Sequence, residues 1–468
     1  MARNKEIAIG FIVGIIANTI GTLLYILFFS DLGISETLEA AISQGYLGSL
    51  LALGAILNLV AFFGFLRIKR DLRARGVMIA TLLCALVILC FKLMGYTRMK
   101  YYIIAGEASG DLHGSNLIKA ILRQQPEAEI RCWGGDLMQQ AGGTLAKHYK
   151  EMAFMGFLEV VKNVSKIFSN IRFCKQDIAQ FKPDKLVFID FSGFNLRIAK
   201  WAKAQKYSTH YYVSPQIWAS REGRIKKIKR DIDFMYVILP FEQDFYEKKH
   251  HYPVSFVGHP LFDAIANTTL PDNTTFRSEN GLDPEKPIIA LLPGSRKQEV
   301  EKMLLTMLSV KNSFPAYQIV IAGAPSLPTS YYQPFLQNDT VAMGSQQTYP
   351  LLKHSHAALV TSGTATLETA LFQVPQVVCY KGNWVSYQIA KRLITLNFIS
   401  LVNLIMDKEV VKELIQNDLT SENLKLELSK ILSGEPREKV LASYQELRQK
   451  LGGPGASEKT ATLLIKNV

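Results

Sequence analysis

The run Ala357-Ala358-Leu359-Val360-Thr361-Ser362-Gly363-Thr364-Ala365-Thr366-Leu367-Glu368 governs how the rest of the chain is read. Four apolar residues pass into a loop of small ones, and an acidic residue follows at helical distance. This pattern predicts a buried strand, a tight corner and a helix. Small side chains let backbone N–H groups approach a phosphate, and a helix N-terminus adds positive partial charge. Glu368 then falls where a carboxylate accepts hydrogen bonds from ribose hydroxyls. A second corner lies upstream, where Ile288-Ile289-Ala290-Leu291-Leu292 runs into Pro293-Gly294-Ser295-Arg296. An ordinary βα turn accounts for either corner alone. Both together, with Arg296, predict a nucleotide held at the carboxyl edge of a parallel sheet.

Strand, turn and helix recur on both sides of these corners. Residues 101–105 lead into Gly106-Glu107-Ala108-Ser109-Gly110-Asp111-Leu112-His113-Gly114 and a helix near 115–123; further strands are expected at 185–189, 211–214 and 235–239. A second series comprises 288–292, 318–322, 357–360 and 376–380. Strands alternating with helices imply parallel sheets. The expected fold class is therefore α/β, with two Rossmann-like domains over 99–270 and 288–440 and a cleft between them. The polar, proline-bearing stretch 271–287 reads as the linker. Residues 441–468 read as a helical tail able to cross back to the first domain, broken by Gly452-Gly453-Pro454-Gly455 before a last helix at 457–466.

Residues 1–98 hold three apolar segments, at about 7–29, 47–66 and 77–95. The first two have spanning length and no charge, so this part reads as a helical membrane module. A signal peptide does not suit a first segment this long with further spans behind it. Arg3 and Lys5 precede the first span, Asp31, Glu36 and Glu39 follow it, and Arg67, Lys69, Arg70, Arg73 and Arg75 follow the second. The excess of positive charge places the N-terminus and the second loop in the cytoplasm. Three full spans would then carry the rest of the chain to the other side, away from any nucleotide. A cytoplasmic catalytic part requires one segment not to span or the charge rule to be overridden; the expectation is that the third segment, which carries Lys92, is interfacial or re-entrant.

The 468 residues carry a net charge of +13. Such a balance suits nucleic acid, an anionic membrane surface or phosphorylated substrates. No nucleic-acid-binding signature is present, which leaves membrane and phosphate as the expected partners. Cys84, Cys90, Cys132, Cys174 and Cys379 are scattered and odd in number, and read as reduced core thiols of a cytosolic compartment. No His, Cys or Asp cluster has metal-ligand spacing, so neither a metal nor another cofactor is expected.

Further motifs follow one another in a specific order. After 106–114 come Met155-Gly156-Phe157-Leu158-Glu159-Val160, Ile189-Asp190-Phe191-Ser192-Gly193-Phe194-Asn195 and Tyr212-Val213-Ser214-Pro215-Gln216-Ile217-Trp218-Ala219. Leu239-Pro240-Phe241-Glu242, Val257-Gly258-His259-Pro260, Leu292-Pro293-Gly294-Ser295-Arg296 and Ser362–Glu368 complete the series. In this order they resemble the lipid-A-disaccharide synthases, from about Met99 to the C-terminus; the membrane module lies outside the resemblance. The resemblance implies an inverting, metal-independent glycosyltransferase of GT-B architecture, on the cytoplasmic face of the Gram-negative inner membrane. It implies transfer of 2,3-diacylglucosamine from its UDP form to 2,3-diacylglucosamine 1-phosphate (lipid X), giving a β-1,6-linked disaccharide 1-phosphate and UDP. Partners would be these two substrates and membrane lipids. The chain departs from the family pattern at Gly193, where Asp is frequent, at Ser220, in place of Trp, and at Val402, in place of Pro before Asn403.

Inverting transfer needs a base for the acceptor hydroxyl and positive groups for the leaving diphosphate. Asp190, at the end of a strand, is the first candidate base. Asp111 is the alternative, and capping the helix that begins near Leu112 is its competing role. Glu107, in the same loop, would hold a sugar hydroxyl. Arg296 would grip the diphosphate, with Gly294 and Ser295 beside it. Ser362, Gly363, Thr364 and Thr366 would cradle it, Glu368 would hold the ribose, and Asn403 the diphosphate or uracil side. Ser109, Met155, Phe157, Arg221 and Arg224 are the candidate acceptor and lipid residues. His259 reads equally as a structural residue at the interdomain crossing. A UDP-sugar 2-epimerase, a transferase acting on a polyprenyl-linked acceptor and a non-catalytic membrane scaffold are the rival readings.

Overall fold

The structure is a computed structural model. It describes the chain apart from residues 1, 31–32, 44–45, 96–98, 152–163, 325–326, 337–340, 344–346, 383–396 and 468.

The N-terminal unit is helical: Ala2–Phe29, Ile34–Ser43, Leu47–Gly54, Ile56–Arg67 and Asp71–Gly95. Three stretches are long and apolar enough to cross a membrane, Arg3–Phe29, Leu47–Arg67 and Asp71–Leu89. The last begins earlier than its apolar run because Arg73, within the basic loop, pairs with Glu6 at 2.7 Å. A re-entrant segment needs a break, and none occurs in the 25 residues Asp71–Gly95. At 1.5 Å per residue that helix is roughly 37 Å long, enough for a full crossing. Small residues let these helices meet backbone to backbone. A Cβ at Gly10 would lie 1.9 Å from the Arg73 carbonyl, one at Gly76 2.1 Å from that of Ile7, and one at Gly21 2.2 Å from that of Gly54. Close packing of this kind holds helices together where lipid tails remove the hydrophobic drive. Side-chain bonds Asn18–Cys84 and Asn58–Thr81, each 3.0 Å, add to it.

The remaining chain forms two sheets. The first contains β1 (Lys100–Ala105), β2 (Glu129–Gly134), β3 (Thr144–His148), β4 (Lys185–Ile189), β5 (Ser208–Tyr212), β6 (Phe234–Val237) and β7 (Ser255–Phe256), in the order β3-β2-β1-β4-β5-β6-β7. The second contains β8 (Ile288–Leu292), β9 (Gln318–Ala322), β10 (Val341–Met343), β11 (Ser355–Thr361), β12 (Gln376–Tyr380) and β13 (Lys412–Ile415), in the order β10-β9-β8-β11-β12-β13. Every pair in the second sheet is parallel, as are β1–β4, β4–β5, β5–β6 and β6–β7 in the first. Strand order reverses between β1 and β4 and again between β8 and β11. In open parallel sheets such reversals open the crevice where ligands bind, outside the carboxyl ends of the strands.

The central strands read as unbroken apolar runs because helices cover both faces; β4, β8 and β9 are buried at every residue. Asp177, on the helix Val164–Phe181, accepts two bonds from Arg131 of β2 (2.7 and 2.6 Å) and one from Tyr102 of β1 (2.6 Å), pinning that helix to the sheet.

Residues 271–287, expected as the linker, are not structureless. They carry the helix Asn273–Glu279, capped by Asp272 accepting from the Thr275 N–H at 3.0 Å. Phe276 is wholly buried in the core of the second sheet. The polar sequence conceals this anchor, and Arg277 spends its charge on the carbonyls of Asp283 and Lys286. The helix Gly434–Lys450 runs through residue 440, where the tail was expected to begin. The last helix, Ala456–Lys466, lies on the first sheet: Lys185 of β4 donates to the Leu464 carbonyl, and Asp263 accepts from the N–H groups of Gly455 and Ser457 at 2.6 and 2.7 Å.

Candidate active site

Asp190 ends β4 at the carboxyl edge of the first sheet. It and Phe191 both occupy the left-handed region, with φ of 43° and 45°. Each such residue costs about 1–2 kcal/mol, although Asp tolerates the region better than most. Asn195 and Tyr211 hold the turn in place by donating to the Asp190 carbonyl. The Phe191 ring packs on Gly106, where a Cβ would sit 2.3 Å from it. Burial, and then the nearby Glu107 charge, push the Asp190 carboxyl up to about 6. A half-buried carboxylate with that affinity for protons is matched to base catalysis near neutral pH.

Asp111 is committed elsewhere. Its carboxylate accepts the N–H groups of Gly135 (2.7 Å), Leu137 (3.2 Å) and Met138 (3.0 Å), so it caps the distant helix Asp136–Gln140. It lies in the first turn of the helix Ala108–Gln124, which starts well before the expected residue 115. Asp111 is 3% exposed, with three of its acceptor positions taken by backbone N–H groups. Glu107 stands exposed just ahead of this helix and Ser109 exposed in its first turn.

A basic cluster adjoins Asp190. Arg224 donates to the Ser192 hydroxyl at 2.9 Å, two residues beyond Asp190, at the start of the helix Ser192–Ala204. Arg197, on that helix, donates to the Gly193 carbonyl at 3.0 Å. Burial, then the charges of Arg221 and Arg197, lower the proton affinity of Arg224. Three guanidiniums close enough to repel one another are stabilised by a shared anion. Ser192 lies within a recognised motif with no role assigned to it, and Arg197 lies beyond the motif; both enter because the helix after Asp190 turns them toward the basic loop. Met155 and Phe157 lie outside the described residues. On the helix that follows them Phe168 is 67% exposed.

A buried carboxylate binds two of the recognised motifs together. Glu242 accepts from Ser214 (2.5 Å), Trp218 (3.1 Å) and the N–H groups of Ile238 (3.1 Å) and Leu239 (2.9 Å). It therefore shapes the loop that carries Arg221 and Arg224.

At the second sheet, β8 ends in Pro293-Gly294-Ser295-Arg296. Glu299 accepts the N–H groups of Ser295 (2.9 Å) and Arg296 (3.3 Å), which fixes the helix start. Gly294 has φ of 124°, and a Cβ there would strike Glu299 at 2.6 Å. The Arg296 side chain is 66% exposed and 4.0 Å from Glu299, free to take an anion. After β11, Gly363 adopts φ 155° and ψ −164°, a glycine conformation, with open space where a Cβ would be. Thr364 is exposed at the start of the helix Thr364–Leu371. Ser362 donates to the Ile399 carbonyl at 2.9 Å. Glu368 is half-buried; burial raises its carboxyl, and the Tyr349 hydroxyl donates to it at 3.1 Å.

Two residues expected at the diphosphate have their polar side-chain atoms engaged within the protein. Thr366 is fully buried, and its hydroxyl donates back to the Gly363 carbonyl at 2.8 Å, bracing the corner from beneath. Asn403 is also fully buried. Its amide donates to Val411 O and Glu413 and accepts from the N–H groups of Val410 and Val411, which fills its capacity. Both brace the loops that carry them. Glu413 was missed: it gathers Asn403 and the N–H groups of Ile399 and Ser400 (3.0 and 2.9 Å), and Ile399 in turn receives Ser362. No sequence signal marks it, because its partners lie 10 to 14 residues away in a loop. Among the described residues no three His, Cys, Asp or Glu side chains are grouped to hold a metal.

Known proteins resemble this arrangement at two levels. In fold, a UDP-GlcNAc 2-epimerase from Neisseria meningitidis bound to UDP-GlcNAc gives a TM-score of 0.58 at 13% identity, covering 79% of this chain and 100% of that one. The glycotransferase of kitacinnamycin gives 0.54 at 13% identity, covering 79% and 98%. In sequence, a lipid-A-disaccharide synthase of Geobacter metallireducens is 37% identical over 371 residues, covering 78% of this chain and 96% of its own. One of Coxiella burnetii is 38% identical over 367 residues, covering 77% and 96%. The family model described as lipid-A-disaccharide synthetase matches residues 101–466, so the helical N-terminal unit lies outside it. From β1 to its last helix, this chain belongs to the lipid-A-disaccharide synthetase family.

Proposed function

We propose that the chain condenses UDP-2,3-diacylglucosamine with lipid X into the β-1,6-linked disaccharide 1-phosphate of lipid A biosynthesis, releasing UDP. The observation that carries the reading is Asp190, a carboxyl with its proton affinity raised to about 6, at a turn whose Ser192 hydroxyl accepts from Arg224. In this mechanism Asp190 takes the proton of the acceptor 6-hydroxyl as that oxygen attacks C1 of the donor sugar. The bond from C1 to the diphosphate oxygen breaks on the opposite face, and its electron pair leaves with UDP. Arg296 and the N-terminus of the helix Thr364–Leu371 stabilise the charge that develops on the diphosphate. A guanidinium and a helix dipole supply that charge without a metal. Arg197, Arg221 and Arg224 read the acceptor 1-phosphate, and Glu107 and Ser109 line the sugar side. Glu368 accepts the ribose hydroxyls.

In this scheme the first α/β half takes the acceptor and the second the donor. The apolar N-terminal helices associate the chain with a membrane. Placing that membrane as the Gram-negative inner membrane, with the catalytic halves on its cytoplasmic side, brings the enzyme to both lipid substrates; with the helix Asp71–Gly95 unbroken, this side requires that helix to lie along the interface or the charge bias of the loops to be overridden. Acceptor specificity tests the reading. Turnover with lipid X should exceed that with the same diacylglucosamine lacking the 1-phosphate by at least about tenfold, the worth of one charge-assisted contact. Equal use of both acceptors would refute the phosphate role, and conversion of UDP-N-acetylglucosamine to its 2-epimer would refute the transferase.

A further inference from the structure

Tyr349 belongs to none of the motifs, yet it reaches the nucleotide corner. It sits in the helix Thr348–Lys353, ahead of β11, and its hydroxyl donates to Glu368 Oε1 across 19 residues of sequence. Its ring lies against Phe372 with centroids 5.3 Å apart, which limits its rotation. Among the described residues it is the titratable side chain found against Glu368. Burial raises the proton affinity of the Glu368 carboxyl, and the Tyr349 bond opposes that rise. Burial and the adjacent carboxylate push the Tyr349 phenol far above its ordinary range, so it remains a donor.

Resting on the proposed ribose role of Glu368, we propose that Tyr349 is a positioning and specificity residue for the nucleotide: it occupies Oε1 of Glu368, leaves Oε2 to accept from the ribose, and offers its own hydroxyl oxygen to the second ribose hydroxyl. A carboxylate serving a diol must stay ionised and keep one orientation. A glutamate in a half-buried corner is inclined to do neither, because burial favours the neutral acid and the side chain rotates. The phenol corrects both faults. It stabilises the charged form, and it pins one oxygen so that the other points outward. The ribose is then read by two neighbouring oxygens from two helices, and not by the glutamate of the recognised motif alone.

Calorimetric titration of the full-length protein in detergent with UDP, from pH 5 to 8.5, tests this with the wild type, Tyr349→Phe and Glu368→Gln. Tyr349→Phe keeps the ring and removes one oxygen. The expected result is a Kd for UDP raised about 3- to 10-fold at pH 7.5, the worth of one hydrogen bond. The loss of affinity on acidification should also begin at higher pH in the variant, because Glu368 without its donor is protonated more readily. The penalty for replacing UDP by 2′,3′-dideoxy-UDP should shrink in the variant, and in turnover the loss should fall on the donor KM more than on kcat. An unchanged Kd and pH profile in Tyr349→Phe, with Glu368→Gln impaired, would overturn this inference and leave the ribose role of Glu368 standing. A Glu368→Gln variant that binds UDP as the wild type does would remove both.

Discussion

Replacing Asp190 by Asn should stabilise the protein while removing its activity. Asp190 has an unfolded value near 3.8 and a folded value of about 6, the rise coming first from burial and then from Glu107. The folded state therefore favours the protonated form. That stabilisation is fully present below pH 3.8 and is lost as pH rises through 6. Above pH 7 the folded wild type carries an ill-solvated carboxylate, and two pH units correspond to roughly 3 kcal/mol. Solvent reaches this half-buried group, so about 1–3 kcal/mol is the working figure. Asn escapes the whole of that cost. It also accepts the left-handed backbone at φ 43° as readily as Asp does. The assay is thermal unfolding in detergent at pH 4.5 and pH 8, with turnover measured alongside. Asp190→Asn should melt roughly 2–6 °C above the wild type at pH 8, with the gap narrowing at pH 4.5. Turnover should fall by about 10²–10⁴, the range of a lost general base. A gap that does not change with pH would refute the burial argument. Full turnover in the variant would refute the assignment of the base.

Other substitutions separate ligand contacts from supporting ones. Arg296→Ala should raise the donor KM by about tenfold or more with no change in melting, since the side chain is 66% exposed; Lys at that position should recover only part of the loss. Glu242→Ala strips four donors of their buried acceptor and should cost about 3–5 kcal/mol, seen as a lowered unfolding midpoint whether or not substrate is present. His113 and His259 are buried, and burial lowers them to about 4 and about 3. Both are neutral in the fold, so stability should decline as pH falls below the ordinary imidazole value of 6.5, toward 4 and 3 respectively, and His259→Asn should flatten part of that slope in a pH series of melting curves.

Much of the fold was legible because central strands of a doubly wound sheet are buried on both faces. Residues 185–189, 288–292, 318–322 and 376–380 are apolar runs, and each is a strand with the bounds its sequence suggests. β5 was misplaced by a few residues because its start is polar: Thr209 and His210 are buried with their partners supplied by Asp231, Ser208 and Tyr236. The edge strands β7, β10 and β13 are short and escape any periodicity rule. Within the stretch read as the linker, the surrounding polar sequence does not announce the burial of Phe276.

At the site, the corners at Gly294 and Gly363 were visible because only glycine meets their backbone demands. Residues of the recognised motifs divide into those that face outward and those that brace the loop from within, and sequence does not separate them. Thr364 and Thr366 stand two residues apart on one helix, one exposed and the other wholly buried. Asn403 and Asp111 have all the chemistry of ligands but bond within the protein, Asp111 to backbone N–H groups and Asn403 to backbone groups and Glu413. Tyr349 and Glu413 act through partners distant in sequence, which no linear motif records.

The central claim is that the full-length chain transfers a diacylated sugar from UDP to lipid X without a metal. The direct measurement follows disaccharide 1-phosphate by mass spectrometry and UDP release in parallel, with purified protein in detergent, both lipids and a chelator present. The account predicts disaccharide and UDP in equal amounts, and neither when one of the lipids is left out. UDP release without disaccharide, or no product until a divalent cation is restored, would contradict it.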